Sequence, residues 1–286
     1  MIDYHVHPDF SPDARGSIEE YCQRAQAIGL KELCFTTHCE LDPARAELEH
    51  VNVRGQSWPV NSNWAERYFE EIAECRRKFP DLLIRAGVEI GYELGLEGTI
   101  ADFLGRYPFD FVLGAVHCLD HIAITASEEL DRFRNESVQQ GPELIAERYF
   151  YYVRALAGSQ LVDVIAHLDI YRKYLVGLLG SEFLKTADRL MRPTLEFIAQ
   201  SGVGIEVNTS GMRRPGNEPY PAENVIRMAY ELGVRVWTIG SDAHRLEDLG
   251  AGLEQAERIL KDLGVTATRF ERRVKTVSPP EAGCRS

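Results

Sequence analysis

Val236-Trp237-Thr238-Ile239-Gly240-Ser241-Asp242-Ala243-His244 begins as an apolar, β-branched run and stops at Gly-Ser, after which an aspartate and a histidine follow. Such a run is typical of a buried parallel strand. Asp242 and His244 would then stand at the carboxyl end of that strand. Carboxylate and imidazole are both common metal ligands, so the segment predicts a strand that ends in two of them.

The N-terminus has the same character, with Ile2-Asp3-Tyr4-His5-Val6-His7. Residues at i and i+2 of a strand point to the same face, so both imidazoles could reach one ion. If the first and last strands are neighbours, the sheet closes into a barrel and these ligands meet at one rim.

The chain between these two ends alternates strands with helices. Seven short apolar runs predict strands over residues 2–7, 32–38, 83–92, 111–117, 163–169, 204–210 and 236–244. Helical periodicity predicts helices over 17–29, where Ser17 and Glu20 form a capping box, and over 64–79, 142–157, 182–200, 222–232 and 246–263. This alternation indicates a parallel sheet covered by helices. Seven units favour a barrel, and no GxGxxG or Walker motif favours a nucleotide-binding sheet.

Composition is ordinary for a globular protein, with 286 residues of which 44% are hydrophobic. We expect one domain over residues 1–267 and a C-terminal extension over 268–286 that is frayed at its end. No apolar run approaches the ~18 residues of a transmembrane helix, and the start is not that of a secretory signal. These features predict a cytoplasmic protein with no membrane partner.

Charge and cysteine usage argue against a nucleic-acid-binding protein and against one held together by disulfides or a thiolate zinc site. The net charge of −12 comes without a basic patch, which argues against a nucleic-acid partner. An anionic substrate stays possible, because bound divalent cations would reverse the sign locally. Six scattered cysteines without a CxxC pair predict free thiols, not disulfides or a thiolate zinc site. Oligomeric state is not predicted.

The histidines give the strongest indication of function. Of eight, six lie at the carboxyl ends of predicted strands: His5, His7, His38, His117, His167 and His244. One such histidine is more often structural, but independent structural histidines have no reason to gather at the rim where barrel enzymes build their sites. Together with Glu89 and Asp242 they suit Zn, Fe or Mn. So many ligands predict two or three ions, with Glu89 able to bridge.

Such a cluster of divalent ions has a defined chemistry. It lowers the pKa of a bridging water and holds the oxygens of a phosphoryl group. No Ser-His-Asp or Cys-His arrangement with a nucleophile elbow competes with this interpretation.

The motifs DYHVH, TTHCE, GVEIGY, GAVH, IAHLD and GSDAH occur in this order between residues 3 and 244. The ordered set resembles the polymerase-and-histidinol-phosphatase (PHP) family of metal-dependent phosphoesterases over nearly the whole chain. HxH alone is also found in amidohydrolases. The resemblance implies an α/β fold, a distorted seven-stranded, TIM-like (β/α)7 barrel, with a trinuclear metal site.

By this resemblance the ligands would form three groups. One ion would be held by His5, His7, Glu89 and Asp242. A second would share Glu89 and be held also by His117 and His167. The third would be held by Asp13, His38 and His244. For Asp13, which some family members replace with histidine, the alternative is an ordinary carboxylate in a turn.

Arginines follow two predicted strand ends, in stretches that resemble the histidinol-phosphatase branch of the family. They are Ile170-Tyr171-Arg172-Lys173-Tyr174 and the segment 208–221. Because arginine binds phosphate oxygens in a bidentate manner, we expect Arg172 and Arg213 to hold the phosphate, with Arg214 as the substitute for Arg213. The alternative is that these are surface arginines paired with acids.

The resemblance implies hydrolysis of L-histidinol phosphate to L-histidinol and phosphate, in histidine biosynthesis, by a metal-bridging hydroxide. Asp242 or His244 would protonate the leaving alkoxide. Glu93, Glu218 and Asp169 are candidates for the substrate's ammonium and imidazole. Two alternatives stay open: a phosphoesterase for nucleotide or sugar phosphates, and a non-catalytic PHP module.

One polar segment interrupts the alternation. Residues 50–63, with Trp58 among them, predict a long loop of the kind that forms a lid or a substrate wall. Trp58 could stack on the substrate's imidazole.

Overall fold

The computed structural model describes residues 1–137 and 140–276. Within these ranges the strands are β1 (Ile2–Val6), β2 (Glu32–Phe35), β3 (His38–Glu40), β4 (His50–Val53), β5 (Gln56–Pro59), β6 (Leu83–Gly91), β7 (Phe111–Ala115), β8 (Cys118–Leu119), β9 (Ile122–Ala123), β10 (Val164–Ile165), β11 (Gly204–Asn208), β12 (Trp237–Gly240), β13 (Arg269–Glu271) and β14 (Val274–Thr276). The α-helices are α1 (Ile18–Ala27), α2 (Trp64–Lys78), α3 (Glu97–Arg106), α4 (Leu130–Ser137), α5 (Pro142–Ser159), α6 (Leu175–Ser201), α7 (Glu223–Glu231) and α8 (Leu253–Asp262).

Seven of the strands form a nearly closed parallel barrel in the order β1-β2-β6-β7-β10-β11-β12. The first and last strands meet through a parallel bridge between Val6 and Ala243. There the backbone N–H of His7 donates to the carbonyl of Ala243 over 2.9 Å, and that of Asp242 donates to the carbonyl of His5 over 2.8 Å. The predicted (β/α)7 barrel and its seven strands are confirmed.

The barrel strands are buried over most of their length, as near-continuous apolar runs require, and only the first residue of β6, Leu83, is exposed. Every residue of β1, β7 and β11 is buried. Strand β3 continues the second strand and pairs with β6, so that His38 lies beside Glu89. This pairing brings two predicted metal ligands together through backbone geometry alone.

Two helices were not predicted, and two predicted helices begin at other residues. Helices α3 and α4 are absent from the predicted set, because Gly98 and Gly105 weaken the helical pattern of α3 and α4 buries little beyond Phe133. The helix predicted over 246–263 begins only at Leu253, since Gly250 and Gly252 have φ of +78° and +80°. Helix α6 begins at Leu175, before the predicted residue 182, and is kinked at Gly180, whose backbone is not helical.

The segment 50–63, predicted as a long polar loop, contains a β-hairpin over residues 50–59. Strands β4 and β5 pair antiparallel across a turn in which Arg54 and Gly55 have φ of +51° and +78°. Two residues with positive φ match the twist of a tight hairpin. Buried Val51 and Val53 alternate with half-buried neighbours, which anchors one face of the hairpin on the core.

A second hairpin, formed by β13 and β14, closes the amino-terminal end of the barrel. Phe270 is buried there, with its ring centroid 5.1 Å from that of Phe111, and its backbone N–H donates to the hydroxyl of Tyr4 over 2.9 Å. The hairpin lies within the predicted extension 268–286. Residues 277–286 lie outside the described ranges, so the frayed end stays a prediction.

We expect Phe270→Ala to lower the free energy of unfolding by about 3–5 kcal/mol, the cost of emptying a buried phenylalanine site. Val274→Ala in the same hairpin, where the side chain is 65% exposed, should change it by less than about 0.5 kcal/mol. Urea denaturation of both variants measures the difference. Equal small effects would show that the hairpin contributes little to the stability of the barrel.

Five cysteines, Cys22, Cys34, Cys39, Cys75 and Cys118, are free and buried. The prediction of free thiols is confirmed for these five, and Cys284 lies outside the described residues. Among the helices of the described ranges, none combines the length and the apolar character needed to cross a membrane.

Candidate metal centre

A cleft of about 580 Å³ opens at the carboxyl ends of the barrel strands. The six strand-end histidines converge there because their strands are neighbours in the barrel. His5 and His7 are fully buried, and His167 is 3% exposed. His38, His117, His167 and His244 line the cleft.

Glu89 of β6 lies at the centre of the cluster, fully buried. Its Oε2 is within 2.9–3.5 Å of one nitrogen from each of His5, His7 and His38. Its Oε1 is 3.0 Å from Nε2 of His167 and 3.4 Å from Nε2 of His117. The two carboxylate oxygens therefore face two different groups of imidazoles, which is the arrangement of a bridging ligand.

Asp242 completes the first group of ligands. Its Oδ1 lies 3.5 Å from Nε2 of His5 and 3.4 Å from Nε2 of His7. Asp242 has φ of +54°, and His167 has φ of +25°. Non-glycine residues rarely adopt such values, and strained backbone of this kind is typical of functional sites.

The third predicted group also comes together. Oδ2 of Asp13 is 3.3 Å from Nε2 of His244 and 3.8 Å from Nε2 of His38. The two Nε2 atoms are 3.3 Å apart. The imidazole of His38 thus faces Glu89 with Nδ1 and this group with Nε2.

These residues fit divalent metal ions. Five buried side-chain atoms of the cluster have no hydrogen-bond partner among the described residues: Nε2 of His5, Nε2 of His7, Nδ1 of His38, Nδ1 of His167 and Oε2 of Glu89. Such atoms are rare and need an explanation, which a cation coordinated by imidazole and carboxylate supplies. Several groups of three donors, including His5-His7-Glu89 and Glu89-His117-His167, have ligand atoms within 4.8 Å of one another. All nine predicted ligands meet here, and their individual roles stay predictions.

The electrostatics of the cluster follow from its mixture of charges. Burial lowers the pKa of His5, but the carboxylates of Glu206 and Glu89 outweigh it and hold that pKa well above the usual value. Burial would raise the pKa of Glu89, but His5 and His117 hold it well below the usual value. Glu89 is therefore a carboxylate, as a metal ligand must be.

Three residues that orient the histidines were missed by the sequence analysis. Glu206 Oε1 lies 2.7 Å from Nδ1 of His5, Glu40 Oε1 lies 2.6 Å from Nδ1 of His117, and Ser11 Oγ lies 3.1 Å from Nδ1 of His7. Such contacts fix the tautomer of a metal-binding imidazole and the direction of its other nitrogen.

The glycine that precedes Ser241 makes room for this arrangement. A Cβ on Gly240 would collide with the Cβ of His5 and with Oε1 of Glu206. The small residue in the GSDAH motif therefore allows His5 and its supporting carboxylate to pack against the last strand.

We expect Glu40→Gln to weaken metal binding by about 10- to 100-fold, because His117 loses the carboxylate that orients it. Glu47→Gln, an exposed change in the same part of the chain, is the matched control and should leave affinity unchanged. Competition titration of Zn²⁺ against a chromogenic chelator measures both. Equal affinities in the two variants would remove Glu40 from the support of the site.

The predicted phosphate-binding arginines have protein partners. Arg172 donates to Oδ2 of Asp169 over 3.1 Å and to Oε2 of Glu218 over 2.6 Å. Arg213 donates to the backbone carbonyls of Ser241 and Asp242 over 2.8 and 3.2 Å. Neither side chain lines the cleft, and their contact with phosphate stays a prediction.

Two neighbouring cations lie closer to the cleft. The guanidinium of Arg214 is 5.8 Å from the ring centroid of Tyr174, a residue that lines the cleft. Lys173 lines the cleft itself, and its Nζ donates to the carbonyl of Thr125 over 2.8 Å. Lys173 was not among the predicted site residues.

The other predicted substrate contacts lie outside the cleft lining. Trp58 pairs with Val51 across the hairpin and packs half-buried against the core, and this hairpin region contributes His50 and Val60 to the cleft. Glu93 accepts a hydrogen bond from Tyr152 over 2.5 Å. Asp169 and Glu218 are held by Arg172, as described above.

The fold and this cluster define a β/α-barrel protein with a candidate metal site at the carboxyl ends of its strands, the face on which barrel enzymes build their active sites. The chain belongs to the PHP domain family, whose model matches residues 3–210. The resemblance of the six motifs to this family is thereby confirmed.

Similar proteins carry a consistent name. A probable histidinol-phosphatase of Deinococcus radiodurans is 28% identical over 279 residues, which cover 96% of this chain and 97% of that protein. A probable histidinol-phosphatase of Thermotoga maritima is 29% identical over 262 residues, with 91% of each chain covered. The crystal structure of histidinol phosphate phosphatase from Lactococcus lactis, complexed with zinc, L-histidinol and phosphate, has a TM-score of 0.77 at 22% identity and covers 96% of this chain and 98% of that one.

Proposed function

We propose that this protein is a metal-dependent phosphomonoesterase that hydrolyses L-histidinol phosphate to L-histidinol and phosphate. The observation that carries the proposal is Glu89, whose two oxygens each face a separate group of imidazoles. The names of the similar proteins and the ligands in the Lactococcus lactis complex support the substrate.

The nine clustered residues would hold two or three divalent ions, Zn, Fe or Mn. His5, His7 and Asp242 would bind on one side of Glu89, and His117 and His167 on the other. Asp13, His38 and His244 would bind the third ion. When bound, such ions neutralise charge on a phosphoryl group and make a water molecule acidic enough to attack at neutral pH.

The chain itself would position the substrate and move the proton. The cleft would admit the phosphoryl group to the cluster between His38, His117 and His244, which line it. The leaving alkoxide would take up the proton that the attacking water loses, passed on by Asp242 or His244, which both line the cleft. Lys173 would add a positive charge at the same wall. Arg172 and Arg213 would reach the phosphate only by exchanging their present partners.

The test is phosphate release from L-histidinol phosphate by protein reconstituted with Mn²⁺, Zn²⁺ or Fe²⁺, beside AMP and p-nitrophenyl phosphate. We expect kcat/KM for L-histidinol phosphate to exceed that for the other esters by at least about 100-fold, the effect of roughly 3 kcal/mol of specific contacts. Chelation should abolish the activity.

Two other results would overturn the proposal in different ways. Hydrolysis of AMP or sugar phosphates without L-histidinol phosphate would point to a phosphoesterase of another specificity. No hydrolysis of any ester by protein with measured metal content would point to a non-catalytic PHP module.

A further inference from the structure

The cleft has a second group of charged side chains, outside the histidine cluster, to which the proposed mechanism gives no role. It consists of Arg45, Glu49 and Glu129, all of which line the cleft. The guanidinium of Arg45 is buried, with 6% of the side chain exposed. Because a buried guanidinium is stable only when paired, the arrangement around it is well defined.

Arg45 holds both carboxylates by short hydrogen bonds. Its Nε and Nη2 donate to Oε1 of Glu49 over 2.9 and 2.7 Å. Its Nη1 and Nη2 donate to the two oxygens of Glu129 over 2.9 and 2.7 Å, and Nη1 also donates to the carbonyl of His121 over 3.0 Å. Arg132 lies beside the same carboxylate, with its Nη1 3.7 Å from Oε2 of Glu129, so two arginines balance the two carboxylates of this group.

Glu49 is the member that can present a carboxylate oxygen to a ligand. Both oxygens of Glu129 accept hydrogen bonds from Arg45, whereas Glu49 uses only Oε1. Within the described part of the chain, Oε2 of Glu49 accepts no hydrogen bond, although the side chain is only 21% exposed. Burial and the nearby charge of Glu40 raise the pKa of Glu49, so a cation beside it would relieve an unfavourable environment.

The cleft therefore offers two features to a substrate. The histidine cluster would hold the metal ions that bind phosphate, and Glu49, on another part of the lining, has a fixed carboxylate with a free oxygen. We infer that Glu49 is a specificity-determining residue that binds the ammonium group of an amino-bearing phosphate monoester. This inference rests on the proposed function and deepens it, because it names the contact that selects L-histidinol phosphate over phosphate esters that have no ammonium group. It replaces Glu93, Glu218 and Asp169, which lie outside the cleft lining.

Glu49→Gln tests the inference, since glutamine keeps an acceptor for Arg45 and removes the charge. We expect KM for L-histidinol phosphate to rise about 10- to 100-fold, the usual effect of losing one hydrogen bond to a charged group. The kcat/KM for p-nitrophenyl phosphate should stay within about twofold, because that ester has no ammonium. Glu47→Gln, with the same change of charge two residues away on the surface, should leave both substrates unaffected.

A second readout does not depend on turnover. Calorimetric titration with L-histidinol, which has the ammonium but no phosphate, should show weaker binding to Glu49→Gln than to Glu47→Gln. Unchanged KM and unchanged L-histidinol binding would overturn the inference. An equal loss of activity on both esters would also overturn it, by showing a structural role.

Failure of the proposed function can be told apart from failure of this inference. If the wild-type protein does not hydrolyse L-histidinol phosphate, the comparison moves to O-phosphoethanolamine and ethyl phosphate, which differ by the ammonium group. A preference for O-phosphoethanolamine that disappears in Glu49→Gln supports the inference without the proposed substrate. No preference overturns it.

Discussion

Glu89→Gln is expected to lower kcat/KM for the phosphate ester by about 10³-fold and to reduce the bound metal. Glu89 is fully buried, and its oxygens face five imidazoles within 3.5 Å. Removing one charge from such a buried, paired group costs about 3–5 kcal/mol. Glutamine has nearly the same shape, so the loss reports the charge and not the packing.

The matched control for this experiment lies at the opposite end of the barrel. Glu32 is also fully buried and accepts from Arg85 over 2.8 Å, so Glu32→Gln removes a comparable charge away from the cleft. We expect that variant to lose stability in urea denaturation and to keep its kcat/KM and metal content. If both variants kept their activity, Glu89 would be a structural carboxylate.

The barrel could be predicted because its evidence is local. Each strand is a short apolar run, and the side chains that matter stand at its carboxyl end, where parallel strands share one rim. His5 and His7 follow from the two-residue period of a strand, and Glu89 from its place in a buried strand. The closure of the sheet then brings Asp242 beside His5, although the two residues are far apart in sequence.

The supporting residues could not be predicted in the same way. Glu206 lies 201 positions from His5 in the chain, and a single carboxylate inside a buried strand does not indicate its partner. Glu40 stands at the end of the TTHCE motif, so it was visible, but its hydrogen bond with His117 depends on how β3 lies against β6. Arrangements of this kind are set by tertiary packing.

The partners of the arginine side chains also could not be predicted from the sequence. Arg172 stands just beyond a strand end, as expected, but position along the chain does not fix the direction of a long side chain. Here Glu218, which is 46 residues away, accepts its hydrogen bond over 2.6 Å. In contrast, Glu49 was not recognised because the segment between β3 and β4 has no strong pattern, and only the fold places it in the cleft.

Metal binding should release protons and should strengthen as pH rises. Burial lowers the pKa of His117, but Glu89 and Glu40 outweigh it and raise that pKa to about 9 in the metal-free protein. Burial lowers the pKa of His38 as well, but the carboxylates of Asp13 and Glu89 outweigh it and hold that pKa well above the usual value. These imidazoles are therefore protonated at pH 7, and an ion must displace their protons. Each displaced proton makes the affinity for Zn²⁺ increase about tenfold per pH unit.

The raised pKa values of these histidines also determine how the stability of the metal-free fold changes with pH. A histidine with a raised pKa stabilises the metal-free fold fully below its unfolded value, about 6.5, and this contribution is lost as pH rises through about 9, the pKa of His117. Metal-loaded protein should not show that loss, because its imidazoles are already deprotonated. Urea denaturation of both forms between pH 6 and 9.5 measures it.

Calorimetric titration of Zn²⁺ at pH 6 to 7.5, in buffers of different ionisation enthalpy, counts the released protons. His117→Gln should release fewer than the wild-type protein, because it removes a protonated imidazole from the cluster. His50→Gln, which changes a histidine outside the metal-binding groups, should release the same number as the wild-type protein. An affinity that does not change with pH would mean that the imidazoles are neutral before the ion arrives, and that hydrogen bonds within the cluster, not the charge of Glu89 and Glu40, determine their state.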